Sequence, residues 1–114
     1  MLKICRTEQD KIAILKCAGT LDLDGAAELK QKINEARADG YFKIIINGRE
    51  ISNINSSVLQ NILTPIRVIV SIKGKIVFCE LSEPCHKVIK TAMFYPIIKV
   101  CDTEEEAIEM IKQS

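Results

Sequence analysis

Tryptophan is absent, aromatic residues make up 4% of the chain, and histidine occurs once. Nucleic-acid binders neutralise phosphates with clustered Lys and Arg, and many stack bases on aromatic rings. This chain has no basic cluster and is nearly neutral: 16 Lys+Arg against 15 Asp+Glu leave a formal +1. No nucleic-acid partner is expected. The single histidine, His86, restricts acid–base chemistry, because a nucleophilic serine requires a base and an orienting acid. No G-x-S-x-G, G-x-x-x-x-G-K-[ST], G-x-G-x-x-G or H-E-x-x-H occurs, so the loops for acyl transfer, nucleotide turnover, dinucleotide chemistry and zinc hydrolysis are missing. The chain reads as a non-enzyme.

Long apolar runs are missing as well. The longest uncharged stretch, Ile51 to Ile66, is interrupted by Ser52, Asn53, Asn55, Ser56, Ser57, Gln60, Asn61 and Thr64, too polar to cross a bilayer. No membrane insertion is expected. Lys3, Arg6, Glu8, Asp10 and Lys11 leave no room for a secretory signal, so a cytoplasmic location is expected. The five cysteines (Cys5, Cys17, Cys79, Cys85 and Cys101) form no C-x-x-C pair and read as reduced thiols that pack like small hydrophobes. Cys85 beside His86 supplies two metal ligands at best. Neither a metal nor a cofactor is expected.

Hydrophobic residues at 47% and charged residues at 27% are the proportions of a soluble globule. The length suits one domain over residues 1–114. Leu2–Arg6 and Lys11–Cys17 alternate as strands around the polar Thr7–Asp10, which predicts a hairpin. Ala26, Leu29, Ile33 and Ala36 predict a helix ending before Gly40. Lys43–Asn47 predicts a short strand covered on both faces. A second helix is predicted from Ser56 or Ser57 to about Ile72, with a kink or break near Asn61–Pro65, since interior proline removes a backbone hydrogen bond. Its core face is read as Leu59, Ile62, Leu63, Ile66, Ile69 and Val70, leaving Val68 and Ile72 as an exposed apolar stripe. Lys75–Glu80 predicts a strand, Ser82–Met93 a helix packing through Cys85, Val88, Ile89 and Ala92, and Ile97–Cys101 a strand. Thr103-Glu104-Glu105-Glu106 is a capping box that opens the last helix. The order ββαβαβαβα predicts an α/β fold: a mixed, mostly parallel sheet with an antiparallel N-terminal edge and about four helices.

In open α/β sheets ligands and partners meet the loops beyond the strands' carboxyl ends. Three loops qualify: Gly19–Asp24, Ser52–Ser57 and Leu81–Pro84. The middle one is richest, with an amide and two hydroxyls, Asn55-Ser56-Ser57, at a helix start where backbone N–H groups and the helix dipole favour an anion. One of these three residues is expected to cap the helix; the surplus hydroxyl has the setting of a phosphoacceptor.

Several blocks in order carry a resemblance: Gly19-Thr20-Leu21-Asp22, Lys43-Ile44-Ile45-Ile46-Asn47, Ile54-Asn55-Ser56-Ser57-Val58-Leu59, Gly74-Lys75-Ile76-Val77 and Thr103-Glu104-Glu105-Glu106-Ala107. From end to end the chain resembles a STAS domain, the fold shared by bacterial anti-sigma factor antagonists and the cytoplasmic tails of sulfate transporters. The resemblance implies a non-enzymatic switch whose partner is an anti-sigma factor with kinase activity. It places phosphorylation at Ser56 and the partner-binding surface at Asp22, Asn55, Ser56, Ser57 and Val58; a homodimer is compatible with it. The sequence departs from the family pattern at Asn55, where Asp is usual, and at Val58, Gln60 and Met93, where Gly is common. Asn keeps the capping oxygen and loses the charge. The alternatives are an adaptor subunit in another assembly, such as a transport complex, and a module binding a small anionic ligand or nucleotide against the N–H groups after Asn55.

Overall fold

The computed structural model describes residues 2–55, 57, 59–91 and 99–113. The chain runs β1 (Leu2–Gln9), β2 (Ile12–Leu21), α1 (Leu23–Ala38), β3 (Lys43–Ile54), α2 (Leu59–Ser71), β4 (Lys75–Cys79), α3 (Glu83–Thr91), β5 (Lys99–Cys101) and α4 (Glu104–Lys112). The five strands lie in sequence order, with β1 antiparallel to β2 and every later pair parallel. Among the described residues this is the predicted mixed sheet with four helices.

Both faces of the sheet are covered. Leu15, Cys17, Ile44, Ile46 and Phe78 face α1, α2 and α3, which contribute Leu29, Ile33, Ile62, Ile66 and Ile89. Ile12, Ile14, Ile45, Val77, Cys79 and Cys101 face α4 through Ala107 and Ile111. Side chains alternate along a strand, so burial on two sides explains why Ile44, Ile45 and Ile46 show no polar alternation. Among the described residues α4 alone covers the second face.

Several boundaries differ from the sequence reading. The hairpin turn is Asp10–Lys11, both at positive φ, so Thr7 and Gln9 belong to β1 and a two-residue turn matches the strand twist. β3 extends to Ile54, taking Ser52 and Asn53 out of the predicted loop. α2 runs unbroken through Pro65; Pro65, Ile62, Leu63, Ile66 and Ile69 are buried, and this packing outweighs the missing hydrogen bond. Val70 is exposed, not core. The α3 expectation at Ala92 and Met93, and the β5 expectation at Ile97 and Ile98, lie outside the described residues. The five cysteines are free, with Cys5 exposed and the others buried.

Candidate functional site

The site begins where β2 and β3 end together. Leu21 pairs with Ile54, and the next backbone N–H, of Asn55, donates to the Leu21 carbonyl at 3.1 Å. That bond holds the Asp22 turn beside the Asn55 loop. Asp22 is the N-cap of α1, its Oδ1 accepting from the Gly25 N–H at 2.9 Å. Gly25 is required there: a Cβ would lie 2.6 Å from the Thr20 carbonyl.

Asn55 caps the other side. Its Oδ1 accepts the Ser57 N–H at 3.0 Å and the Ser57 hydroxyl at 2.7 Å, an Asx turn that carries the chain towards α2. Ser57 therefore has its hydroxyl proton engaged by the amide of Asn55. The predicted α2 start at Ser56 or Ser57 is displaced to Leu59 because this turn occupies the entry. Ser56 and Val58 lie outside the described residues, so the structure brings together Asp22, Asn55 and Ser57 of the predicted set.

Three features went unread in the sequence. Thr20 and Ser52 hydroxyls stand 3.4 Å apart, and Ser52 donates to the Gly19 carbonyl at 3.2 Å; this places further hydroxyls on the paired strand ends. The signal was present as Thr20 and Ser52, but the short β3 assignment hid their register. Beside Asp22, a groove of about 530 Å³ is lined by Leu2, Asp22, Asp24, Ala27 and Glu28. Three carboxylates on that rim favour a cationic partner and oppose an anionic ligand. The surroundings of Asn47 were also missed: its Oδ1 accepts the Arg49 N–H at 3.0 Å and its Nδ2 donates to Glu104 at 3.0 Å. It satisfies the backbone at the first of two register shifts between β2 and β3.

Among the described residues no group of three or more His, Cys, Asp and Glu is arranged to hold a metal ion. No helix among them is long and apolar enough to cross a membrane. The arrangement offers hydroxyls, caps and carboxylates on an open surface, chemistry suited to docking and modification. Residues 3–107 match the STAS domain family. The chain belongs to that family. This STAS domain is similar to a Thermotoga maritima protein assigned to the anti-sigma factor antagonists, with a TM-score of 0.86, 24% identity, and coverage of 96% of this chain and 94% of that one. It is also similar to the anti-sigma factor antagonist SpoIIAA in its unphosphorylated form, with a TM-score of 0.80, 23% identity and 98% of each chain covered. The phosphorylated form of the Bacillus cell fate determinant SpoIIAA gives a TM-score of 0.71 at 23% identity, covering 96% of this chain and 99% of that one. Likeness at these identities establishes the shared fold.

Proposed function

We propose that this STAS domain, one domain over residues 1–114, is a non-enzymatic regulator of the anti-sigma factor antagonist type, working in the cytoplasm. Its partner is an anti-sigma factor with kinase activity, and Ser56 is the phosphoacceptor within a docking surface of Asp22, Asn55, Ser56, Ser57 and Val58. The observation that carries the reading is the Asn55 N–H to Leu21 carbonyl bond of 3.1 Å, which holds the Asp22 turn and the serine loop side by side. The engaged hydroxyl of Ser57 supports Ser56 as the acceptor. The acidic rim beside Asp22 suits a protein surface rather than a free nucleotide.

A phosphoryl group adds about −1.5 to −2 charges. At a helix start the dipole favours such charge, typically by 0.3–1 kcal/mol, so the domain's own fold responds weakly. A docked partner responds strongly, because an unpaired buried dianion costs at least several kcal/mol, and 1.4 kcal/mol is already tenfold in affinity. The test incubates the protein with ATP and the histidine-kinase-like anti-sigma factor of the same genome, then maps the label by peptide mass spectrometry. Ser56→Ala should abolish the label and keep binding; Ser56→Asp should weaken binding at least tenfold with little change in melting temperature. Label on Ser57 corrects the site. Tight binding without label identifies the unswitched adaptor, a reading that the neutral Asn55 amide specifically favours.

A further inference from the structure

At the opposite end of the sheet, four large apolar side chains stand in solvent: Phe42 is 44% exposed, Val70 43%, Ile72 49% and Met110 37%. They come from the lead-in to β3, the C-terminal end of α2 and the last half of α4, and the backbone brings them together. The Phe42 carbonyl accepts from the Lys75 N–H at 2.8 Å, which seats Phe42 against the turn after α2. Val70 and Met110 line one groove of about 160 Å³ together with Lys75 and Lys99.

The charge around these residues is mostly positive. Lys43 pairs with Lys75, and Lys99 pairs with Val77, so all three lysines stand on the α4 face of the sheet at its amino end. No Asp or Glu occurs from Ile51 to Cys79, while Arg67, Lys73 and Lys75 do. None of Lys43, Lys73, Lys75 and Lys99 takes part in an ion pair among the described residues, whereas Lys112 is paired with Asp10 at 3.1 Å. Glu109 is the acid on the adjacent half of α4; Glu104, Glu105 and Glu106 lie in its first turn, at the other end. Near-neutral overall charge thus conceals a cationic end with apolar side chains among the lysines.

We propose that this end is a peripheral docking surface for an anionic phospholipid membrane. Lysines attract the negative headgroup layer, and exposed apolar side chains reach the boundary of the acyl region. The apolar residues come from three separate elements, and Lys43, Lys75 and Lys99 from three strands; a lipid surface can meet all of them at once, whereas a single acidic peptide would occupy only the groove. Lying on the membrane in this way requires no spanning segment. It also leaves the Asn55 loop, at the carboxyl end of β3, facing away from the bilayer.

Vesicle co-sedimentation tests this with the whole chain. The protein should sediment with vesicles of equal parts phosphatidylcholine and phosphatidylglycerol, and not with phosphatidylcholine alone. Binding should be lost between about 0.1 M and about 1 M salt, as the screening length falls from ~10 Å to ~3 Å. Each lysine is worth about fivefold in partitioning, so Lys75→Glu/Lys99→Glu should weaken binding more than tenfold. Val70→Ser/Met110→Ser should weaken it at low salt, with the lysines all in place. The control, Lys30→Glu/Lys87→Glu, makes the same charge change at exposed positions of α1 and α3 and should bind like wild type. Melting curves on each variant separate lost binding from lost folding, and wild-type salt dependence needs no variant. Absence of wild-type binding to the anionic vesicles overturns the proposal. So does equal loss in the control, which would leave net charge as the only cause. Binding to soluble polyglutamate but not to vesicles also overturns it and assigns this end to an acidic protein partner.

Discussion

Asn55 concentrates the chemistry of the site in one amide. A carboxylate at that position would accept the same two bonds from Ser57; the amide accepts them without charge. The neutral side chain therefore keeps the capping geometry, with Oδ1 at 3.0 Å from the Ser57 nitrogen and 2.7 Å from its hydroxyl. Removing a cap of this kind costs about 1 kcal/mol. Asn55→Ala should accordingly lower stability by about that amount in urea unfolding, with an unchanged denaturant slope, while Asn55→Asp should leave it within about 0.5 kcal/mol of wild type. A larger loss in Asn55→Asp would show that the neighbouring carboxylates Asp22 and Asp24, on the adjacent groove, already press on this loop. Ser57 loses its acceptor in Asn55→Ala, which frees its hydroxyl.

Helix ends show how neighbours decide between residues that look interchangeable in sequence. α1 ends with Gly40 at φ +94°, the Gly40 and Tyr41 N–H groups donating to Arg37 and Ala36, a Schellman closure with glycine in the left-handed position. α2 ends with the same bonds, from Lys73 to Val70 and from Gly74 to Ile69, but the left-handed residue is Lys73 at φ 65°. Gly74 is glycine for another reason: a Cβ there would meet the Phe42 carbonyl at 2.4 Å and the Ile69 side chain at 2.6 Å. Gly74→Ala should therefore destabilise by about 1–3 kcal/mol, the usual penalty of overpacking. Lys73→Gly should be neutral or stabilising, because it relieves the left-handed strain. A reversed order of melting temperatures would refute this division of roles. Both helix ends were legible as glycine signals; which residue carried positive φ was not, because that depends on how closely the β3 lead-in approaches. The same limit applied to Pro65, whose local cost was readable and whose burial among Ile62, Ile66 and Ile69 was not. It applied again to β3, predicted to end at Asn47, where Gly48 continues the strand and allows a close approach by Leu81.

At the scale of the molecule, the alternating periods were enough to order the elements, since each strand or helix carries its own pattern. The site was legible only as separate loops. Their meeting depends on the register of β2 on β3, which two irregularities shift and which no local pattern encodes. Even the core was only half readable: the apolar character of the strands was plain, but not that α4 would pack on the face opposite the other three helices. Burial on both faces has a consequence for the thiols within it. Cys17 lies under the three-helix layer, and its Sγ donates to the Leu15 carbonyl at 3.8 Å. Desolvation pushes the Cys17 thiol up from 9.0 to about 12. A raised folded value means that the folded chain holds this proton after the unfolded chain has released it. The contribution to stability is complete below pH 9 and is lost as pH rises from about 9 towards about 12. Cys17→Val, which keeps an apolar side chain and removes the titrating group, isolates the effect. Other alkaline groups titrate in both proteins and cancel in the comparison. Between pH 8 and pH 10.5 the stability difference between variant and wild type should move towards the variant by up to about 2 kcal/mol, measured by urea unfolding under reducing conditions. A difference that stays constant with pH would mean that the Cys17 thiol ionises as readily inside the sheet as in the unfolded chain, and that water reaches this layer of the core.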